Sequence, residues 1–174
     1  SVWPSSAPPV YADSAILIDA RTGETIYQKN ADVRRPVAST QKLLTALIVA
    51  ERESLDEPIT ITTSDTRVEP TKLGLRAGEK YPRRQLLTAI MVKSSNDAAA
   101  ALGRDHAGST QAFAVEMNRV AASLGANDSY FVNPHGLPAA QYSTARDIAR
   151  IAYRAYRNRD LRQMMLMRSM AFRH

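Results

Sequence analysis

Ser39-Thr40-Gln41-Lys42 sets a hydroxyl and an amine three residues apart at the head of an apolar stretch. On a helix that spacing puts both groups on one face, within hydrogen-bonding reach. A serine hydroxyl attacks a carbonyl only after a base takes its proton, and a lysine serves as that base only when burial or nearby positive charge makes it neutral. A helix start in apolar surroundings supplies the desolvation, and its amides favour developing negative charge. The alternative is a plain helix cap, with Ser39 on the first turn and Lys42 in solvent. The chain has 14 serines and 5 lysines, so chance supplies roughly 0.4 matches to this pattern, and the tetrad alone decides nothing. Ser94-Ser95-Asn96 is a second polar set, in a break between two helical stretches; roughly 0.5 matches arise by chance, and its alternative is a capping turn.

Other polar residues read more blandly. His106, His135 and His174 lack metal-ligand spacing, and His135 reads as support for the turn before Gly136 rather than as part of a Ser/His/Asp triad. Met164, Met165 and Met167 read as packing residues rather than a cofactor box.

The elements that must position these groups follow from periodicity. Ser14 to Ala20 reads as a buried strand, Arg21 to Glu24 as a turn and Thr25 to Lys29 as the return strand of a hairpin. Leu43, Leu44, Leu47 and Ile48 recur at helical spacing, with further apolar residues between them, which predicts a helix over Thr40 to Arg52 buried on most sides. Pro58 to Thr62 is β-like, and Ser64 to Tyr81 reads as loop with short strands. A helix is expected from about Arg83, and the alanine run Ala98 to Ala101 predicts another ending near Gly103. Phe113, Met117, Val120, Ala121 and Leu124 mark a further helix that Gly125 stops. After the irregular link Tyr130 to Leu137, Thr144 and Asp147 match a capping box, which opens a helix with Ile148, Ile151, Ala152 and Ala155 on one face and Arg146, Arg150, Arg154 and Arg157 on the other. Short β pieces first and a helix-rich middle argue for an α+β arrangement rather than βαβ units.

Composition narrows the class. The chain has 174 residues, 44% hydrophobic and 23% charged, without cysteine. That describes one globular domain or part of one, and it excludes thiol redox chemistry and cysteine-bound zinc. The formal charge of +6 sits in the last 29 residues, where 8 Arg face Asp147 and Asp160. An anion-binding module at that Arg-rich end is one reading of the imbalance. Seven Tyr and one Trp are too scattered for a nucleic-acid stacking platform. No apolar run reaches the roughly 20 residues of a membrane-spanning helix. Residues 1–11 read as an extended lead-in without the features of a signal peptide, so an exported protein would already have lost its signal.

The flanks of the two polar sets carry a resemblance. Pro36-Val37-Ala38-Ser39-Thr40-Gln41-Lys42-Leu43-Leu44-Thr45-Ala46-Leu47 resembles the active-site helix of the D-alanyl-D-alanine carboxypeptidases, the low-molecular-mass penicillin-binding proteins of peptidase family S11. Met91 to Ala98 resembles that family's second motif. Ala15 to Ala20, Asn30 to Arg35, His135-Gly136-Leu137 and Tyr142 to Asp147 are similar to family landmarks in the same order. The resemblance implies a serine β-lactamase-like fold, a helical cluster packed on an antiparallel sheet. It also implies that Ser39 is the acyl-forming nucleophile, Lys42 its general base, Ser94 a proton relay to the departing amine, and Asn96 a ligand of the substrate backbone. The substrate implied is a peptidoglycan stem peptide ending in D-Ala-D-Ala, with β-lactams as covalent inhibitors, no cofactor or metal, and a place outside the cytoplasmic membrane.

The family's third motif, K-T-G, has no counterpart here. Lys72-Leu73-Gly74 has leucine in the hydroxyl position and precedes the second motif. Residues 12–174 are therefore expected to be the N-terminal part of a catalytic domain, with late sheet strands, the third motif and any membrane anchor in a segment beyond this chain. Two alternatives stay open: a serine β-lactamase, for which no Glu loop is evident, and a non-catalytic peptidoglycan-binding homologue.

Overall fold

A computed structural model describes residues 9–172; most of the expected lead-in, and Arg173 and His174, lie outside the described residues. β1 (Ala15–Ile18) pairs antiparallel with β2 (Thr25–Lys29). Asp19 closes the turn between them, its Oδ1 accepting from the Arg21 and Thr22 amides at 2.6 and 3.0 Å. A 3-10 turn, Ala38–Gln41, then leads into α1 (Lys42–Arg52). The α-helix expected from Thr40 thus begins two residues later, because Thr40 and Gln41 belong to the 3-10 turn that opens at Ala38, φ +47.

β3 (Pro58–Thr60) pairs antiparallel with β4 (Lys80–Pro82), and the loop between them carries a 3-10 turn at Asp65–Arg67. Then come α2 (Arg83–Lys93), α3 (Asn96–Ala107), α4 (Thr110–Ser123), α5 (Ala145–Arg157) and α6 (Arg159–Met165). The helical cluster with two small antiparallel sheets is the α+β arrangement expected.

α1 is central because its apolar residues point two ways. Ala46, Leu47 and Val49 join a core with α2, α3 and α6, whereas Leu44 and Ile48 join Phe113, Met117, Val120, Phe131 and Ile151 on the other side. Ala98, Ala99 and Ala101 are fully buried in α3, where small side chains let the helices approach closely. α3 does not stop near Gly103. It runs on to Gly108, whose φ of +86 ends it, and Gly103 is needed for a different reason. A Cβ there would stand 3.0 Å from Phe113 Cδ1 and 3.2 Å from Pro134 Cβ.

At the head of α5 the capping box is half realised. Thr144 Oγ1 accepts from the Asp147 amide at 3.0 Å. The buried Asp147 carboxylate turns instead to the Asp128 amide, the Ser129 hydroxyl and Arg150, tying α5 to the preceding loop. The Arg face is paired within the chain: Arg146 bonds Asp32, Arg150 bonds Asp147, Arg154 pairs with Glu51, and Arg157 lies over the Tyr153 ring. α6, which apolar periodicity missed, opens on Asn158, whose Oδ1 accepts from the Leu161 amide. Met164 is buried and Met165 packs on the core as expected, but Met167 is 46% exposed, past the end of the helix. A groove of about 560 Å³ runs between β1 and α5, beside the β1 edge that has no strand partner among the described residues.

Candidate active site

Ser39 lies on the 3-10 turn and is exposed, whereas Lys42 opens α1 and is only 3% exposed. Lys42 Nζ donates to Ser39 Oγ at 2.9 Å. The helix-cap alternative, with Lys42 in solvent, is therefore not what the chain adopts. Burial pushes the Lys42 amine down to about 8, from the usual 10.5, so a usable fraction is neutral near physiological pH. Accessible hydroxyl and desolvated amine in direct contact form the pair that serine acyl transfer requires.

A turn far along the chain completes the surroundings of Lys42. Its Nζ also donates to the His135 carbonyl at 2.6 Å. Gly136, at φ +89, lets this turn lie directly on the serine's backbone, since a Cβ there would meet the Ala38 carbonyl oxygen at 2.0 Å. His135 supports the turn as expected, its Nδ1 accepting from the Leu137 amide at 3.3 Å. That acceptor needs a neutral ring, and burial together with the Lys42 charge pushes His135 down to about 4.

Ser94 and Ser95 form the corner between α2 and α3. Ser94 caps α2 in the left-handed region, at φ +55, which a serine adopts only where its surroundings hold it there. Its hydroxyl has no hydrogen-bond partner among the described residues. Asn96 opens α3, 3% exposed, its amide Nδ2 donating to the Pro70 carbonyl at 2.6 Å and its backbone N–H to Thr71 at 2.9 Å. Asn96 Oδ1 is buried without a partner among the described residues, an acceptor held ready for a donor. Next to it, the Asp97 carboxylate accepts from the Leu73, Gly74 and Leu75 amides and pins that loop to α3. Ser39 and Lys42 are thus hydrogen-bonded to each other, while Ser94 and Asn96 bond to neither. Among the described residues no cluster of three His, Cys, Asp or Glu is placed to hold a metal ion, and no helix is long and apolar enough to cross a membrane.

The family model described as D-alanyl-D-alanine carboxypeptidase, peptidase S11, matches residues 2–173. The chain belongs to the S11 peptidase family. Within it, the chain is 36% identical over 149 residues to the D-alanyl-D-alanine endopeptidase of Escherichia coli (strain K12), covering 84% of this chain and 48% of that protein. It is 35% identical over 156 residues to D-alanyl-D-alanine carboxypeptidase DacA of the same organism, covering 83% and 39%. Among solved structures, penicillin binding protein 6B from Escherichia coli matches with a TM-score of 0.90 at 28% identity, covering 96% of this chain and 57% of that one. A D-alanyl-D-alanine carboxypeptidase from Mycobacterium tuberculosis H37Rv matches with a TM-score of 0.86 at 30% identity, covering 94% and 64%. The DD-peptidase fold implied by the resemblance is the fold of these neighbours. The chain spans 48% of the length of the endopeptidase and 39% of that of DacA.

The residues around Lys42 that sequence reasoning missed are Thr45, Gln41, Asn133 and Gln141, which bind the turn to α1. Asn133-Pro134-His135-Gly136 signals a turn, but nothing local says what it docks against.

Proposed function

We propose that this chain carries the nucleophile and base of a serine D-Ala-D-Ala carboxypeptidase acting on peptidoglycan stem peptides outside the cytoplasmic membrane, as the N-terminal part of its catalytic domain. The observation that carries the reading is the 2.9 Å contact between exposed Ser39 and buried, pKa-lowered Lys42. Lys42 takes the Ser39 proton as Oγ attacks the carbonyl of the penultimate D-Ala. The Ser39 amide supplies one donor to the developing oxyanion. Ser94 passes a proton to the departing amine, the terminal D-Ala leaves, and water hydrolyses the ester. Asn96 Oδ1, a buried acceptor without a donor among the described residues, is suited to a peptide N–H of the substrate. A β-lactam enters the same path and stays as the acyl-enzyme.

The test is labelling of the full-length gene product by a fluorescent penicillin. Wild type becomes labelled and Ser39→Ala does not. Equal labelling of both removes Ser39 from the role, and an unlabelled wild type favours the non-catalytic alternative. Since one relative at 36% identity is an endopeptidase, release of D-Ala from a pentapeptide is measured beside cleavage of a cross-linked dimer, and cleavage of the dimer alone replaces the carboxypeptidase reading.

A further inference from the structure

Three successive carbonyls of the distant turn receive three side chains from one stretch of α1 and its entry. Gln41 Nε2 donates to the Asn133 carbonyl at 2.7 Å, Thr45 Oγ1 to the Pro134 carbonyl at 2.6 Å, and Lys42 Nζ to the His135 carbonyl at 2.6 Å. Positions 41, 42 and 45 share a helix face, so the three donors reach the turn together. Lys42 is the functional member; the other two are neutral and fully buried.

The turn is also braced on its far side. Gln141 Oε1 accepts from the Val132 amide and from Gln41 Nε2, both at 3.1 Å, and Gln141 Nε2 donates to the Leu137 carbonyl at 2.8 Å. Gln141 therefore spans the turn from one end to the other. Asn133 Oδ1 accepts from the Gly136 amide at 2.8 Å, which closes the turn internally. The charge environment of Lys42 is sparse. The turn brings the His135 imidazole to it. On α3, Asp97 faces the 73–75 amides, Arg104 pairs with Asp65, Asp105 with Arg83, and His106 with Glu53. Among the described residues no carboxylate thus pairs with the ammonium, and the acceptors for Nζ are Ser39 Oγ and the His135 carbonyl.

We propose that Thr45, Gln41 and Gln141 are positioning residues that seat the 133–137 turn so that the His135 carbonyl aims the Lys42 amine at Ser39 Oγ. The inference rests on the acyl-transfer reading of Ser39 and Lys42. None of the three residues touches the reacting atoms. Each acts by holding a backbone acceptor in place, and misplacement of about an ångström is costly in proton transfer between fixed groups.

Acylation of the full-length gene product by a fluorescent penicillin, resolved into noncovalent affinity and acylation rate, tests this. Thr45→Val, near in shape but without the hydroxyl, and Gln141→Leu are each expected to lower the acylation rate constant about tenfold and leave noncovalent affinity unchanged. Thr45→Ser, which restores the donor, is expected within about twofold of wild type. Circular dichroism and melting curves confirm that each variant is folded, and Gln141→Leu carries the test if Thr45→Val does not fold. A folded variant acylating at the wild-type rate, or a Thr45→Ser variant as slow as Thr45→Val, overturns the positioning role while Ser39-dependent labelling stands. Labelling that persists in Ser39→Ala overturns the acyl-transfer reading and this role with it.

Discussion

Lys42 is held as an amine that titrates near 8, because its Nζ is buried and no carboxylate among the described residues compensates the charge. Only the neutral form takes a proton, so acylation by a β-lactam is expected to rise with pH. The neutral fraction goes from about one-tenth at pH 7 to one-half at pH 8, which predicts an increase of about fivefold across that unit and a plateau above pH 9. A stopped-flow pH profile checks this, and a flat profile would show that Lys42 is not the base. The same burial affects stability. The folded amine titrates near 8 and the unfolded one near 10.5, so between these values the unfolded chain binds more protons and stability rises with pH. Below pH 8 the full penalty applies, on the order of 3 kcal/mol. Urea unfolding of wild type and Lys42→Met at pH 7 and pH 10 is therefore expected to shift the stability difference in favour of wild type at the higher pH. An unchanged difference would mean an ordinary lysine.

The elements place these groups through contacts that a helix or strand pattern does not encode. α3 shows this at Gly103, where the sequence pattern suggests a stop and the helix continues. An alanine there would gain about 1 kcal/mol of helix propensity. Its Cβ would also press on the Phe113 ring and Pro134, and Phe113 is fully buried. Overpacking of this kind costs roughly 1–3 kcal/mol, so Gly103→Ala is expected to lower stability on balance, by about 1 kcal/mol in a urea melt. A rise in stability would show that the ring can move. α5 makes a related point at Asp147, where the capping-box pattern identifies the helix start correctly. The carboxylate nevertheless serves the 128–129 loop, because a buried acid is drawn to whichever donors the tertiary fold brings to it.

At the scale of the molecule, net charge is the feature whose meaning changed most. The Arg-rich end suggests an anionic partner, yet Arg146, Arg150 and Arg154 are each paired with a carboxylate from this chain. Charges already neutralised release few counterions from a polyanion. Little binding to duplex DNA or anionic vesicles is therefore expected even at low salt, measured by fluorescence anisotropy and vesicle co-sedimentation. Tight binding that weakens steeply with salt would restore the anion-binding reading. The hairpin, most of the helices, the S-x-x-K pair and the family were legible in the 174 residues, because periodicity, turn residues and an i, i+3 contact are local properties of a chain. The burial that lowers Lys42 and the turn 93 residues away that gives it a carbonyl were not legible, and neither were the partners of the Arg face. Those depend on which surfaces meet when the two cores close around α1, and no local pattern records that.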